Sequence, residues 1–184
     1  SGSTSELVQF TSPVTSTCAS PDGQLCAFST AAPQIILWNL NENRSVNVIE
    51  VDYQVSAISF GTDNKELFSG SIDGKIQVYK TETGELARTF SPHEGKVLSL
   101  SLDHSGGHIA SASMDGSVVV SNQYTGARVY DFGINVLHAT IQEGNLELRF
   151  SPGGDLYIHL GHHQSYVLNG KDGRVTLEEK EKSF

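Results

Sequence analysis

Cysteine is nearly absent from this chain: Cys18 and Cys26 are the only two. A disulfide framework is therefore excluded as the main source of stability. The two residues read either as a pair bridging neighbouring strands or as free thiols. They supply no zinc site at a usual ligand spacing. Cations are scarce too: 12 Lys and Arg stand against 21 Asp and Glu, giving a net charge of −9. Such scattered basic residues offer no broad footprint for nucleic acid. No apolar run approaches the roughly 18 residues of a membrane span, and no basic start leads into an apolar export signal. The expected partners therefore exclude nucleic acid and membrane, and the default compartment is intracellular, cytoplasm or nucleus. A phosphate loop, HExxH, a nucleophile elbow and CxxC are all missing. No catalytic residues, no cofactor and no enzymatic activity are expected.

What is there is repetition. Residues 55–90 read VSAISF, GTDNK, ELFSGS, IDG, KIQVYK, TETG, ELARTF. VSAISF and KIQVYK alternate apolar and polar, the period of a strand. Asp63-Asn64, Asp73-Gly74 and Thr83-Gly84 are turn chemistry. Four strands in so short a stretch leave no room for crossover helices, so they form an antiparallel meander. Residues 97–132 repeat the unit at an offset of 42, and residues 14–51 precede it at an offset of 41. A fourth copy runs from 145 to 178. A period near 40 with four strands per unit is the pattern of propeller blades. The fold class expected is all-β, with about four blades of four-stranded antiparallel sheet.

These units resemble WD repeats. Ser20-Pro21-Asp22-Gly23 and Ser151-Pro152-Gly153-Gly154 match the first turn of that family, and Ser69 to Gly74 and Ser111 to Gly116 match the second. Trp38 stands at the family's Trp position, where Tyr79, Ser121 and Leu168 replace it. His93 matches the family His. The resemblance implies a hydrogen-bonded network tying each blade together, with Ser69, Asp73 and Tyr79 in the second unit and His93, Ser111 and Asp115 in the third. His93 reads either as structural or as a surface contact. The resemblance also places the loops before the first strands and the turns after the second strands on one face. That face would hold Tyr53, Ile72, His93, Glu94, Met114 and His163, with Ile72 and Met114 as an apolar patch inside a polar rim.

The domain boundaries follow. Residues 1–5 include an appended linker, Ser1-Gly2-Ser3, and are expected to be disordered. Blades occupy 6–178, and 179–184 form a charged tail. Glu6 to Phe10 reads as an extra strand. Either it pairs outside this chain, or the run from Arg174 to Glu178 is not a true fourth strand. The interval from Leu102 to Phe150 is 48 residues, six more than the one before, so a longer loop leads into the fourth unit. It reads as a tucked loop or as a partner-binding one. His159, His162 and His163 form the densest histidine cluster, but converging ligands are lacking, so no metal is expected. Four blades are few for a WD-repeat ring. Completion is expected from the rest of a longer chain, a second copy as a homodimer, or a partner subunit. The function implied is a non-catalytic scaffold binding protein or peptide through its loop face. The alternative is a structural assembly subunit whose blade edges complete a ring. An enzyme or metal-binding protein is the weaker reading.

Overall fold

The structure is a computed structural model that describes residues 11–133, 146–160 and 164–180. Alternation and turn chemistry set the strands where the sequence puts them. The first sheet holds β1 (Val14–Ala19), β2 (Leu25–Thr30), β3 (Gln34–Asn39) and β4 (Arg44–Glu50). The second holds β5 (Val55–Phe60), β6 (Glu66–Ser71), β7 (Ile76–Lys80) and β8 (Leu86–Phe90). The third holds β9 (Val97–Leu102), β10 (His108–Ser113), β11 (Ser117–Asn122) and β12 (Arg128–Gly133). The fourth holds β13 (Leu146–Phe150), β14 (Leu156–Leu160), β15 (Gln164–Leu168) and β16 (Val175–Lys180). Each sheet is a four-stranded meander in chain order, a propeller blade, numbered here 1 to 4. Because β16 pairs along β15, the fourth unit has a true fourth strand. The expected strand at Glu6 to Phe10 and the insertion at 134–145 lie outside the described residues.

A lone blade buries neither face; stacking supplies the core. Ala27, Ile35, Leu37 and Ile49 of blade 1 meet Val55, Ile58, Leu67 and Tyr79 of blade 2. Phe68, Ile76, Val78 and Phe90 of blade 2 meet Val97, Leu100 and Ile109 of blade 3. Ala110, Ala112, Val118 and Val120 then meet Leu148, Leu156, Ile158 and Leu168 of blade 4. The first strands stand side by side, β1 by β5, β5 by β9 and β9 by β13, and line an open groove of about 820 Å³. The two end blades each keep a flank facing away from the array. In β14 one face is buried, while Tyr157 on the other is half-exposed.

The cysteine pairing is settled by register. Cys18 lies opposite Ala27 and Cys26 opposite Ala19, so the two thiols emerge on opposite faces of blade 1. They are free, and burial pushes the Cys18 thiol up to about 12.

Candidate interaction site

Two turns and one loop make the site. The β6–β7 turn carries Ile72, Asp73 and Gly74; the β10–β11 turn carries Met114, Asp115 and Gly116. Each closes on a backbone bond, Gly74 N–H to the Ser71 carbonyl at 3.4 Å and Gly116 N–H to the Ser113 carbonyl at 3.2 Å. Residues 91–96 between β8 and β9 lie across both. Met114 N–H donates to the Lys96 carbonyl at 2.9 Å, and the Ser113 hydroxyl donates to the Gly95 carbonyl at 2.9 Å. The Asp115 carboxylate accepts from Glu94 N–H at 3.0 Å. On the other side Gly74 abuts the His93 carbonyl. The loop is thus clamped between blades 2 and 3, and the tips of both turns project from it. Ile72 is 48 % exposed and Met114 47 %, and Glu94 is exposed beside them.

His93 anchors the loop from within. Its side chain has no exposed surface. Nδ1 lies 3.2 Å from the Asp115 carboxylate and 3.0 Å from Ser117 Oγ, and Nε2 lies 2.8 Å from Ser111 Oγ. With Nδ1–H donated to the carboxylate, Nε2 accepts from the Ser111 hydroxyl. The structure brings His93, Ser111 and Asp115 together in one hydrogen-bonded cluster. The other expected role, a contact offered to a partner by His93, does not fit a fully buried ring.

Burial pulls the His93 pKa below its ordinary 6.5, against the pull of Asp115. Burial pushes Asp115 up, but the Ser117 hydroxyl, the Glu94 and Ser117 amides and His93 together hold it below the usual carboxylate value. Between 6.5 and the folded pKa of His93, the unfolded chain binds the extra proton, so stability is lost as the pH falls through that window. Asp115 adds a loss at lower pH, below 3.8, as its own folded pKa is approached. A His93→Gln variant is expected to flatten the upper window and to shrink, but not abolish, the lower one, because Ser117 and the Glu94 amide still hold Asp115 low. Thermal midpoints across a pH series check this.

Blade 2 solves the same problem with phenols. Tyr53 stands at the His position, its hydroxyl 2.6 Å from Ser69 Oγ and 3.3 Å from the Tyr79 hydroxyl, and Tyr79 donates to Gln77 at 2.7 Å. Burial pushes both phenols above their ordinary value. Asp73 stands apart from this chain of hydroxyls, contrary to expectation. It is bound by Lys75 and by the Ser71 hydroxyl, and those bonds hold its carboxyl low. Tyr53 is half-buried and spends its hydroxyl inside the blade.

Trp38 also departs from the expected network. Its Nε1–H is buried and, among the described residues, has no partner. The cause is legible in the copies: Phe28 occupies the position held by Ser69 and Ser111. His162 and His163 lie outside the described residues. Among the described residues no group of His, Cys, Asp and Glu could hold a metal ion, and no helix is long and apolar enough to cross a membrane. Sequence reasoning missed Arg88. Its guanidinium grips Glu66 through two bonds of 2.6 Å, donates to the Gln123 carbonyl at 3.1 Å and lies over the rings of Phe68, Phe90 and Tyr124. It ties blade 2 to blade 3.

The Vps42 beta-propeller family profile matches residues 80–181, more than half of the chain. The chain belongs to the WD-repeat β-propeller family. The WD40 domain of anaphase-promoting complex subunit 4 matches residues 17–102 as well. Among WD-repeat relatives, F-box-like/WD repeat-containing protein TBL1X of Macaca fascicularis is 27 % identical over 78 % of this chain and 28 % of its own length. Vacuolar protein sorting-associated protein 41 of Schizosaccharomyces pombe is 31 % identical over 63 % of this chain and 12 % of its own. A solved structure of U3-55K superposes with a TM-score of 0.80 at 19 % identity, over 94 % of this chain and 53 % of that one. The chain thus spans less than a third of those relatives and about half of that solved structure.

Proposed function

We propose that this WD-repeat segment is a non-catalytic scaffold that binds a protein or peptide partner on its turn face. The observation that carries the reading is the pair Ile72 and Met114. Two large apolar side chains stand about half-exposed at the tips of adjacent turns, and a loop bonded to the Met114 turn and packed against Gly74 of the Ile72 turn lies between them. Such side chains at loop tips contribute nothing to the core, and an apolar centre with polar neighbours is the composition of an interface. Glu94 supplies a polar neighbour; Tyr53 and His163 belong to the same face in the sequence reading. The names of relatives fit this reading, since one is an F-box-like protein and another a subunit of a complex. The double substitution Ile72→Asp, Met114→Asp is expected to reduce partner capture at least about tenfold, as loss of interface anchors does, with an unchanged thermal transition. Retained capture by the folded variant would count against the turn face.

A second reading has an observation of its own. The outer flank of blade 1 carries Cys26, Phe28, Ile36, Trp38 and Val48 by register, and among the described residues the indole N–H of Trp38 has no acceptor. On this reading the chain is an assembly subunit. The rest of a longer chain, a second copy or a partner subunit lays a blade on that flank and completes a ring.

A further inference from the structure

Four equivalent positions, one per blade, close the third strand: Trp38, Tyr79, Ser121 and Leu168. In each blade the ladder to the fourth strand shifts register at this residue. The extra residue lies on the fourth strand, and the third strand keeps its alternation. Tyr79 and Leu168 thus point at the preceding blade and are buried there, at 5 % and 0 % exposure. Blade 3 carries a serine instead. A cleft of about 310 Å³ opens at that point, between the end of β8 and the β11–β12 hairpin.

Phe90, Pro92 and Gly126 form its apolar wall, Ser121 and Thr89 line it with hydroxyls, and Arg128 stands among them. Phe90 takes part of the space the serine vacates. It lies so close to the hairpin that a Cβ on Gly126, at φ +72°, would sit 2.5 Å from its ring. The volume that remains is near the lower end for small-molecule pockets and about tenfold that of one water. The Arg128 guanidinium donates to the Pro92 carbonyl at 3.1 Å and lies 3.8 Å from Asp131, with its side chain 53 % exposed. Its five N–H donors leave several free for a further acceptor.

We propose that this cleft is a docking slot for one aromatic side chain of a partner peptide, with a neighbouring carboxylate pairing to Arg128. The repeat itself identifies the occupant. Where other blades fill this position with their own side chain, two of three use a ring, an indole in Trp38 and a phenol in Tyr79. Blade 3 keeps the frame and omits the ring. The one cation of the lining selects an anion beside it. The slot borders the start of the 91–96 loop at Ser91 and Pro92 but includes neither Ile72 nor Met114, so substitutions at Ser121 and Arg128 test it apart from the turn face.

Indole-3-acetate, an indole carrying a carboxylate, is the probe. Titrated at millimolar concentration into the uniformly labelled chain, it is expected to shift the amide signals of Phe90, Ser121, Gly126 and Arg128. Ser121→Trp places an indole in the cleft from within and is expected to abolish those shifts while keeping or raising the thermal midpoint. Arg128→Gln is expected to weaken indole-3-acetate about fivefold, an exposed ion pair's worth, and to leave the neutral indole-3-acetamide unaffected. Should Ser121→Trp fail to fold, the Arg128→Gln comparison decides by itself. Absence of shifts in the unsubstituted chain overturns the proposal. So does unchanged binding of indole-3-acetate by Arg128→Gln, or binding by a folded Ser121→Trp.

Discussion

Replacing Phe68 by Ala is expected to cost about 3–5 kcal/mol of stability, the usual range for a buried aromatic cut back to Ala. Phe68 lies in the middle of β6 with no exposed surface, in the cluster joining blades 2 and 3. The cavity would open at the joint of the array, where relaxation would have to move two sheets at once. The loss would also remove one face from under Arg88, whose guanidinium lies 5.7 Å from the ring centre. Because each blade contacts only its neighbours, weakening this joint separates the array into halves. Urea unfolding should therefore show a lower midpoint and a broadened transition. Tyr124→Ala is the matching control. Tyr124 also touches Arg88 but is 62 % exposed, and its loss is expected to shift stability by less than about 1 kcal/mol.

Gly74→Ala is expected to be nearly as damaging, at about 3 kcal/mol, for a different reason. Gly74 has φ +85°, a left-handed conformation that costs an L-residue about 1–2 kcal/mol. A Cβ there would also lie 2.3 Å from the His93 carbonyl oxygen, and backbone cannot swing aside like a side chain. The loop from 91 to 96 must lift, and with it the frame that holds the turn face. Gly116→Ala separates the two contributions. Gly116 has φ +89° but nothing within 4 Å of its Cβ site, so only the backbone term of about 1–2 kcal/mol applies. Thermal or urea unfolding of both variants tests the difference. Only Gly74→Ala is expected also to weaken partner capture.

The blades were legible because their signals are local. Alternation in VSAISF and KIQVYK, and turn pairs such as Asp73-Gly74 and Thr83-Gly84, repeat at a fixed offset and fall in the strands and turns of the structure. The network around His93 was legible through the resemblance, because Ser111 and Asp115 lie at family positions. What could not be read was whatever depends on two blades at once. Whether His93 faces solvent or the interior is decided by how the 91–96 loop crosses the turns of blades 2 and 3. The Arg88 clamp joins Glu66, 22 residues earlier, to the Gln123 carbonyl 35 residues later, and no short motif records it. Trp38 is the intermediate case. Phe28 at the serine position was visible in the sequence, but only the structure shows that the indole N–H has no partner among the described residues. The same holds for Ser121, plainly a serine among larger residues, whose consequence is a cleft.

The central claim is that the turn face, and not a blade flank, is where a partner docks. Site-specific photo-cross-linking tests it most directly, with the reactive group placed in turn at Met114, at Val48 on the outer flank of blade 1, and at Tyr157 on the outer flank of blade 4. All three side chains are about half-exposed, so reactivity is matched. The account predicts one cross-linked species from Met114, lost with Ile72→Asp, and none of that mass from Val48 or Tyr157. A partner captured only from Val48 or Tyr157 would contradict it and move the function to the blade edges.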